Sequence, residues 1–363
     1  MKVDIYTHIC PKPFIDYFDK HIMSVSKLRG LDRSAVVRPL WDINKRLEIM
    51  DNYEDYVQVL VPTQPAAETF CTPQQAPEAA RIYNDSMAEI VSKNPDRFIG
   101  AVAYLPLNNI DATLREIDRA LDELGFLGIL LSTPIYELKK PGDPSCGYDF
   151  ETMKSLDMPE FWQIYEKMSQ KKRPIWIHPK GPRGLPVYHG EENEEWGKYG
   201  WPFIIGWPVE SATAVGRLVF SGVLAKYPNL RFIIHHCGSG VIPSLAGRLD
   251  HGVDFLRVQG LKWKDPDEKG IFDTKPPSDY FRMFYADTAL YGDMPALMCG
   301  HAFFGVEHLL FGTDMPYDIE GGDKYVRLTI DAVNRMSVSD ADKQLIFEGN
   351  AKRILKLYSA NEK

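Results

Sequence analysis

Short runs of apolar and β-branched residues recur along the chain, separated by longer segments in which apolar residues repeat at helical spacing. Several of the short runs, such as YVQVLVP and FLGILLS, are almost continuously apolar rather than alternating. This pattern is typical of strands covered on both faces, as in a parallel sheet. The sequence predicts eight strands, at residues 2–6, 56–62, 97–104, 126–132, 173–179, 230–236, 283–288 and 308–314.

Helical spacing characterises the intervening segments, for example PEAARIYNDSMAEIVSKNP before the third strand and IDATLREIDRALDELG before the fourth. Eight alternations of strand and helix favour an α/β fold in which eight parallel strands are surrounded by helices, a (β/α)8 or TIM barrel. Two successive doubly wound domains are the alternative, but no linker-like composition divides the chain. We expect residues 1–363 to form a single barrel domain, closed by the amphipathic segment SDADKQLIFEGNAKRILKLYS.

Two segments exceed the loops of a minimal barrel. Residues 180–208 follow the fifth strand and are rich in Gly, Pro and Trp, and residues 259–280 precede the seventh strand. Loops of this length in a compact domain usually act as lids or interfaces. We predict a lid or subunit contact for these segments, with a lid-like insertion after the fifth strand, and disordered inserts are the alternative.

Composition and charge narrow the class of partner. Hydrophobic residues make up 44% of the chain and charged residues 25%, so a sizeable core can be buried. A net charge of −8 without a basic run argues against nucleic acid or an anionic membrane surface as partner. We find no pattern of a signal peptide or membrane span. The scattered cysteines form no CxxC pair and favour a reducing, cytoplasmic location: Cys10, Cys71, Cys146, Cys237 and Cys299.

Four ionisable residues lie at predicted strand ends, where TIM barrels carry their active sites. His8 ends the first strand, His178 the fifth, His236 the sixth and Asp314 the eighth. Imidazole and carboxylate are ligands of Zn²⁺, Mn²⁺ and Fe²⁺, and two His with one Asp leave an open position for catalysis. Of the adjacent pair His235 and His236, we predict that His236 faces the barrel mouth and His235 packs under a helix.

Several motifs together resemble one branch of the amidohydrolase superfamily, which includes aminocarboxymuconate semialdehyde decarboxylase and the resorcylate-type aromatic acid decarboxylases. The motifs span nearly the whole chain and include DIYTH, WDINKRLEIMD, IWIHP, GWPVESATAVGRLVFSGVLAKYPNLRFIIHHCGSGVIP, LLFGTDMP and GNAKRILKL. The resemblance implies one divalent ion, Zn or Mn, bound by His8, His178 and Asp314. It further implies that His236 handles a proton or water, and that the protein is a homodimer.

Tyr6 departs from the motif of that family, which usually has His-x-His, or Glu-x-His in several aromatic acid decarboxylases, where this chain has Tyr6-Thr7-His8. A phenol with an ordinary pKa near 10 is a poor ligand unless the metal helps to ionise it. Three readings remain open: a site with three ligands, a site in which Tyr6 is a ligand or proton donor, and a site whose metal is weak or absent.

The resemblance and the ligand set predict a metal-dependent, non-oxidative decarboxylase of an aromatic or unsaturated carboxylic acid. A hydrolase or hydratase acting on a lactone, amide or enol-acid is the alternative enzyme, and a metal-free barrel that binds a ligand without turnover is the alternative outside catalysis. For substrate binding, the resemblance of the segment SAVVRPLWD implies Arg38 at the carboxylate, and Arg suits planar, bidentate carboxylate recognition. An aromatic wall would be formed by Trp176, Trp201, Phe203 and Trp207, and Arg257 is a weaker candidate for a neighbouring subunit's site.

Overall fold

Eight parallel strands form one sheet in the computed structural model of the chain. The structure describes residues 1–22, 35–63, 65–140, 148–180, 200–238, 240–265, 267 and 269–357. The sheet runs in the order β1-β2-β3-β4-β7-β8-β9-β10. These strands are β1 (Lys2–Ile9), β2 (Tyr56–Pro62), β3 (Phe98–Ala103), β4 (Gly128–Thr133), β7 (Ile175–Pro179), β8 (Phe232–Ile234), β9 (Tyr285–Asp287) and β10 (Leu309–Leu310).

Backbone hydrogen bonds join the last strand to the first. The N–H of Ile5 donates to the carbonyl of Phe311 at 3.0 Å, and the N–H of Asp314 donates to the carbonyl of Tyr6 at 2.9 Å. The sheet therefore curves back on itself, and the predicted (β/α)8 barrel is confirmed.

Side chains of the strands fill the barrel interior with one apolar cluster. Val59, Leu130, Trp176, Ile233 and Leu310 are among its members, and each is at most 8% exposed. The strands carry a second buried set on their outer faces, against the helices. Burial on both faces explains why the strand sequences read as continuous apolar runs.

The helices alternate with the strands as the spacing predicted. Asp42 and Asn109 begin two of them, since each side chain accepts a hydrogen bond from a backbone N–H in the first turn. The α-helices are Lys12–His21, Ile43–Met50, Ala67–Phe70, Ala76–Lys93, Ile110–Asp118, Trp162–Lys171, Trp207–Phe220, Val223–Lys226, Val241–Val258, Pro277–Phe281, Met294–Phe304, Asp323–Arg335, Asp340–Gln344 and Asn350–Leu355. Single turns of 3₁₀ or π-helix are Ala35–Leu40, Arg119–Glu123, Pro159–Phe161, Pro202–Gly206, Val306–His308 and Leu345–Gly349.

An antiparallel strand pair between β4 and the next helix was missed from the sequence. It consists of β5 (Ile135–Leu138) and β6 (Tyr148–Lys154). Their sequences, IYEL and YDFETMK, contain charged residues and lack the continuous apolar character on which the strand predictions were based.

The structure describes the two inserted segments to different extents. Most of 180–208 lies outside the described residues, apart from Lys180 and the part from Gly200 onward, so the lid remains a prediction. The described part of 259–280 packs on the barrel, because the Trp263 ring contacts those of Phe220 and Phe272. Disorder is therefore the wrong interpretation for the described part of this second insert.

One helical segment, Phe203–Phe220, is long and apolar enough to cross a membrane by composition alone. Part of it is the outer helix that precedes β8, and this helix buries Ala214, Val215, Leu218 and Val219. A core helix of a barrel passes the same test of length and composition.

Candidate metal centre and active site

The predicted ionisable residues meet at the carboxyl ends of the strands. His8 comes from β1, His178 from β7, His236 from the turn after β8, and Asp314 from the segment after β10. All four are buried, with side chains no more than 8% exposed. A bulge in β1, where the register with β2 shifts between Asp4 and Thr7, shapes the strand just before His8.

His8 is the centre of this cluster. Its Nδ1 lies 3.0 Å from the carbonyl oxygen of Pro62, and because a carbonyl only accepts, Nδ1 carries the proton. In the neutral ring Nε2 therefore presents a lone pair. This atom lies 3.1 Å from Tyr6 Oη, 3.2 Å from His178 Nε2 and 3.3 Å from Asp314 Oδ1.

These spacings suit a shared cation. Lone pairs of two imidazoles and a carboxylate repel one another unless a proton or a metal ion lies between them. Donor atoms at 2.0–2.2 Å from one divalent ion are roughly 3.0–3.5 Å apart. Across the ranges that the structure describes, no group of three or more His, Cys, Asp and Glu side chains is already arranged to hold a metal ion. The close contacts each join His8 to one neighbour.

Two further imidazoles of the cluster favour the neutral, metal-binding form. Burial, with a smaller effect of neighbouring histidines, lowers the pKa of His178 well below its ordinary value. Burial likewise lowers the pKa of His235, again with contributions from neighbouring histidines. Metal ligands must be deprotonated, so both rings hold the lone pair that coordination needs.

Asp314 supplies the negative charge. Burial alone would raise its pKa, but the nearby imidazoles of His8 and His236 and the hydroxyl of Tyr291 lower it to about 2, so the carboxylate is ionised at neutral pH. Its second oxygen, Oδ2, accepts a hydrogen bond at 2.8 Å from the hydroxyl of Tyr291. Asp314 thus turns Oδ1 toward His8 while Tyr291 holds Oδ2.

Tyr6 lies inside the cluster, next to His8, because residues two apart on a strand point to the same side. Burial and the charge of Asp314 raise the pKa of its phenol well above the ordinary value, so the hydroxyl is protonated before any ion binds. Its ring stacks on that of His235, with centroids 3.5 Å apart and planes at 16°.

The predicted position of His235 is wrong. Its ring lies in the cluster, stacked on Tyr6 and 5.7 Å from the centroid of His178, rather than under an outer helix. The prediction assumed that the strand alternates through residue 236. The structure ends β8 at Ile234, and positive φ values of 56° at His236 and 52° at Cys237 turn the chain there.

Both histidines therefore reach the mouth. His236 places Nδ1 3.3 Å from the carbonyl oxygen of Ala289 and 3.4 Å from the hydroxyl of Tyr291. His235 donates from Nδ1 to Oδ2 of Asp287 at 2.7 Å. Its Nε2 is buried and has no hydrogen-bond partner among the described residues. An unpaired buried polar atom costs about 1–3 kcal/mol, so a ligand for Nε2 is the physical expectation.

A small cavity adjoins the cluster on the side of His178. Its lining includes Thr63, Glu68, Tyr104 and Ser132 at the ends of neighbouring strands. Glu68 forms a buried ion pair with Lys180, whose Nζ lies 2.6 Å from Oε1. Sequence reasoning missed this pair, although Lys180 follows the IHP motif directly.

Only part of the predicted aromatic wall lies beside the cluster. Trp207 packs its ring edge-on to His178, with centroids 5.9 Å apart, and Phe203 packs on Trp207 at 4.9 Å. Trp201 is 42% exposed. Trp176 is fully buried in the barrel interior, where its indole N–H donates to the carbonyl of Ile5, so the structure places it in the core.

The two predicted arginines lie elsewhere. The side chain of Arg38 is 53% exposed, forms an ion pair with Asp42 at 2.8 Å, and lines a surface cavity with Lys45 and Ile319. None of the cluster residues lines that cavity. Arg257 donates to the carbonyl of Phe272, within the second insert. Neither contacts the cluster among the contacts that the structure describes.

Tyr291 is a residue that sequence reasoning missed. It follows β9 at the mouth and adopts φ of 53°, a backbone conformation that is unusual for an aromatic residue. Its hydroxyl faces both Asp314 and His236. The available signal was its place shortly after a predicted strand end, in the segment ADTALYG.

We expect Tyr291→Phe to weaken divalent metal binding or turnover by roughly 10- to 100-fold, the usual effect of losing a partner that orients a ligand. The reason is that Asp314 Oδ2 loses its hydrogen bond and the carboxylate can rotate. Isothermal titration with Mn²⁺ and steady-state kinetics measure the two effects. Tyr325→Phe is the matched control, because the Tyr325 ring packs on Tyr291 at 4.3 Å. Equal effects of both variants would contradict the role of the Tyr291 hydroxyl.

Comparisons with known proteins identify the family of the chain and agree with its fold. A family model described as amidohydrolase matches residues 3–357. The 2-amino-3-carboxymuconate-6-semialdehyde decarboxylase of Dictyostelium discoideum is 26% identical, over 98% of this chain and 92% of that protein. Gamma-resorcylate decarboxylase of a Polaromonas species is 29% identical, over 86% of this chain and 87% of that protein.

A solved structure is also similar over the whole chain. It is a dihydroxybenzoic acid decarboxylase from a Polaromonas species with bound manganese and the inhibitor 2-nitroresorcinol. It has 26% identity and a TM-score of 0.75, and the similarity covers 99% of this chain and 98% of that one. The family model covers nearly all of the sequence, and this chain belongs to the amidohydrolase family.

Proposed function

We propose that the protein is a metal-dependent, non-oxidative decarboxylase of an aromatic or unsaturated carboxylic acid. One divalent ion, Zn or Mn, would be held by His8, His178 and Asp314, with Tyr6 as a further candidate. The observation that carries this proposal is the single nitrogen, His8 Nε2, which lies 3.1–3.3 Å from Tyr6 Oη, His178 Nε2 and Asp314 Oδ1. The similarity to decarboxylases, one of them crystallised with manganese, supports the reaction and the metal.

The bound ion would hold the substrate carboxylate, or a neighbouring hydroxyl or amine, and stabilise negative charge near the reacting carbon. The residues of the chain do the rest. Asp314 and His178 orient the reacting group beside His236. His236 delivers a proton to the carbon that loses its carboxylate. The carbon–carbon bond breaks, its electron pair stays on that carbon and takes the proton, and CO2 leaves.

The surroundings of the cluster suit a flat substrate. Trp207 lies edge-on to His178 and Phe203 lies behind it, so an aromatic surface borders one side of the cluster. His178 also lines the small cavity, where Glu68 and Ser132 can bond a polar substituent. Apolar walls with few polar groups are typical of sites for small molecules. From the scattered cysteines and the family resemblance we also propose that the protein is a cytoplasmic homodimer that acts on a small carboxylic acid.

The test is release of CO2 from carboxyl-labelled acids by protein loaded with one equivalent of Mn²⁺ or Zn²⁺, as verified by plasma mass spectrometry. Hydroxybenzoates, aminobenzoates and unsaturated diacids form the panel. We expect release to stop after treatment with EDTA and to return with the ion. A product that gains water and keeps its carboxylate would favour the hydrolase or hydratase. Binding of an acid without any turnover by metal-loaded protein would favour the ligand-binding barrel.

A further inference from the structure

Position 6 carries Tyr where the family motif has a His or Glu ligand. The structure offers another nitrogen that can bind the ion. His235 is fully buried, and its Nε2 has no hydrogen-bond partner in the described part of the chain. We propose that His235 Nε2 is a nitrogen ligand of the divalent ion, alongside His8, His178 and Asp314. This inference rests on the metal centre of the proposed function and names a ligand outside the set that the sequence motifs imply.

The hydrogen bond on the other ring nitrogen is the first support. Histidines that bind metals almost always donate their second N–H to a carboxylate or carbonyl, which orients the ring and leaves the ligating nitrogen free. His235 donates from Nδ1 to Asp287 at 2.7 Å. Oδ1 of Asp287 accepts the backbone N–H groups of Cys237 and Ala289, which hold the carboxyl group in place beside the ring. His8, whose Nδ1 is held by the Pro62 carbonyl, has the same arrangement.

The position of the ring is the second support. The centroid of His235 lies 5.7 Å from that of His178, and the centroids of His8 and His178 are 4.9 Å apart. His235 thus belongs to the same buried cluster as the other proposed ligands.

Tyr6 then has a different function from the histidine that it replaces. Its ring lies flat against His235 at 3.5 Å and fixes the plane of the imidazole. Its hydroxyl lies 3.1 Å from His8 Nε2, beside the ligands rather than in place of one of them. The stack explains how a chain with Tyr at position 6 can keep a full set of donors.

The decisive measurement is the number of imidazole nitrogens coupled to the ion, obtained by pulsed EPR of the unmodified protein loaded with Mn²⁺, with ¹⁵N-labelled histidine for assignment. We expect three coupled imidazoles, from His8, His178 and His235. Two coupled imidazoles, or no binding of Mn²⁺, would overturn the inference. Because the protein is unmodified, this result does not depend on whether a variant folds.

Variants identify the nitrogen. We expect His235→Gln to lose one imidazole coupling and to raise the Mn²⁺ dissociation constant at least 10-fold, and Asp287→Asn to raise it roughly 10- to 100-fold. Tyr6→Phe keeps the stacked ring and is expected to change the constant less. The reverse order, a large effect of Tyr6→Phe and none of His235→Gln, would assign the ligand to Tyr6 and overturn the inference.

His308→Gln is the matched control. Its ring also stacks on a tyrosine, Tyr285 at 4.5 Å, and its Nδ1 is held by the carbonyl of Phe284 as that of His235 is held by Asp287. It directly precedes β10, at the end of the strand away from the mouth. Its replacement should leave both the coupling and the dissociation constant unchanged. The number of coupled imidazoles is measured without substrate. A protein with three coupled imidazoles that releases no CO2 would therefore contradict the proposed reaction and leave this inference standing.

Discussion

Replacing Asp314 by asparagine is expected to weaken Mn²⁺ binding by at least about 100-fold and to abolish turnover, since loss of a ligand should exceed the loss of a residue that orients one. Asp314 is the only acid among the proposed ligands, and its pKa of about 2 keeps it ionised at neutral pH. The amide has nearly the same shape and can still accept the hydrogen bond of Tyr291. The loss would therefore reflect charge and coordination rather than packing.

Metal content by plasma mass spectrometry, titration calorimetry with Mn²⁺ and the CO2 assay measure this result together. Asp4→Asn is the control for removing a buried carboxylate from the same barrel. Asp4 accepts hydrogen bonds from Tyr56, Thr313 and Tyr6, so its loss should lower stability. Asp4→Asn should lower the affinity for Mn²⁺ far less than Asp314→Asn does. An Asp314→Asn protein that binds Mn²⁺ within twofold of the unmodified one would rule out Asp314 as a ligand.

The barrel was predictable because its signal is repeated eight times. Each strand is buried on both faces, so each gives a continuous apolar run, and helical spacing fills the intervals. The TIM barrel rule then places strand ends at one mouth. This rule led to the prediction of His8 and His178 as site residues. In the structure their Nε2 atoms lie 3.2 Å apart.

Local backbone geometry limited the prediction of the rest. Nothing in IIHHCGSG indicates that His236 and Cys237 adopt positive φ, yet this turn decides where both histidines point. The depth of a side chain along a strand is equally hidden. Trp176 and His178 share one side of β7, but only the second lies at the mouth.

Contacts between distant parts of the chain were also inaccessible. The bond between Tyr291 and Asp314 joins residues 23 positions apart, and the pair of Lys180 and Glu68 spans 112. Arg38 was assigned from its local context alone, and it pairs with a neighbour four residues away instead. The site thus depends on pairings that the periodicity of the chain does not encode.

Trp176→Ala is expected to lower the free energy of unfolding by about 3–5 kcal/mol, the usual cost of truncating a large buried aromatic residue. Trp176 is fully buried, and its indole N–H donates to the carbonyl of Ile5 at 3.1 Å. The ring also closely approaches Gly128, where an added Cβ would lie 2.6 Å from Trp176 Cζ3. The substitution would leave both a cavity and an unpaired carbonyl in the barrel.

Urea unfolding at a fixed metal concentration, followed by circular dichroism, measures this loss, and Trp201→Ala is the control because that ring is 42% exposed. The control should change stability by no more than about 0.5–1 kcal/mol. The two roles considered for Trp176 give opposite results. A wall of the substrate site would raise KM with little loss of stability, whereas a core residue would lower stability far more than the control does. Unchanged stability with a raised KM would therefore show that Trp176 forms part of the wall of the substrate site.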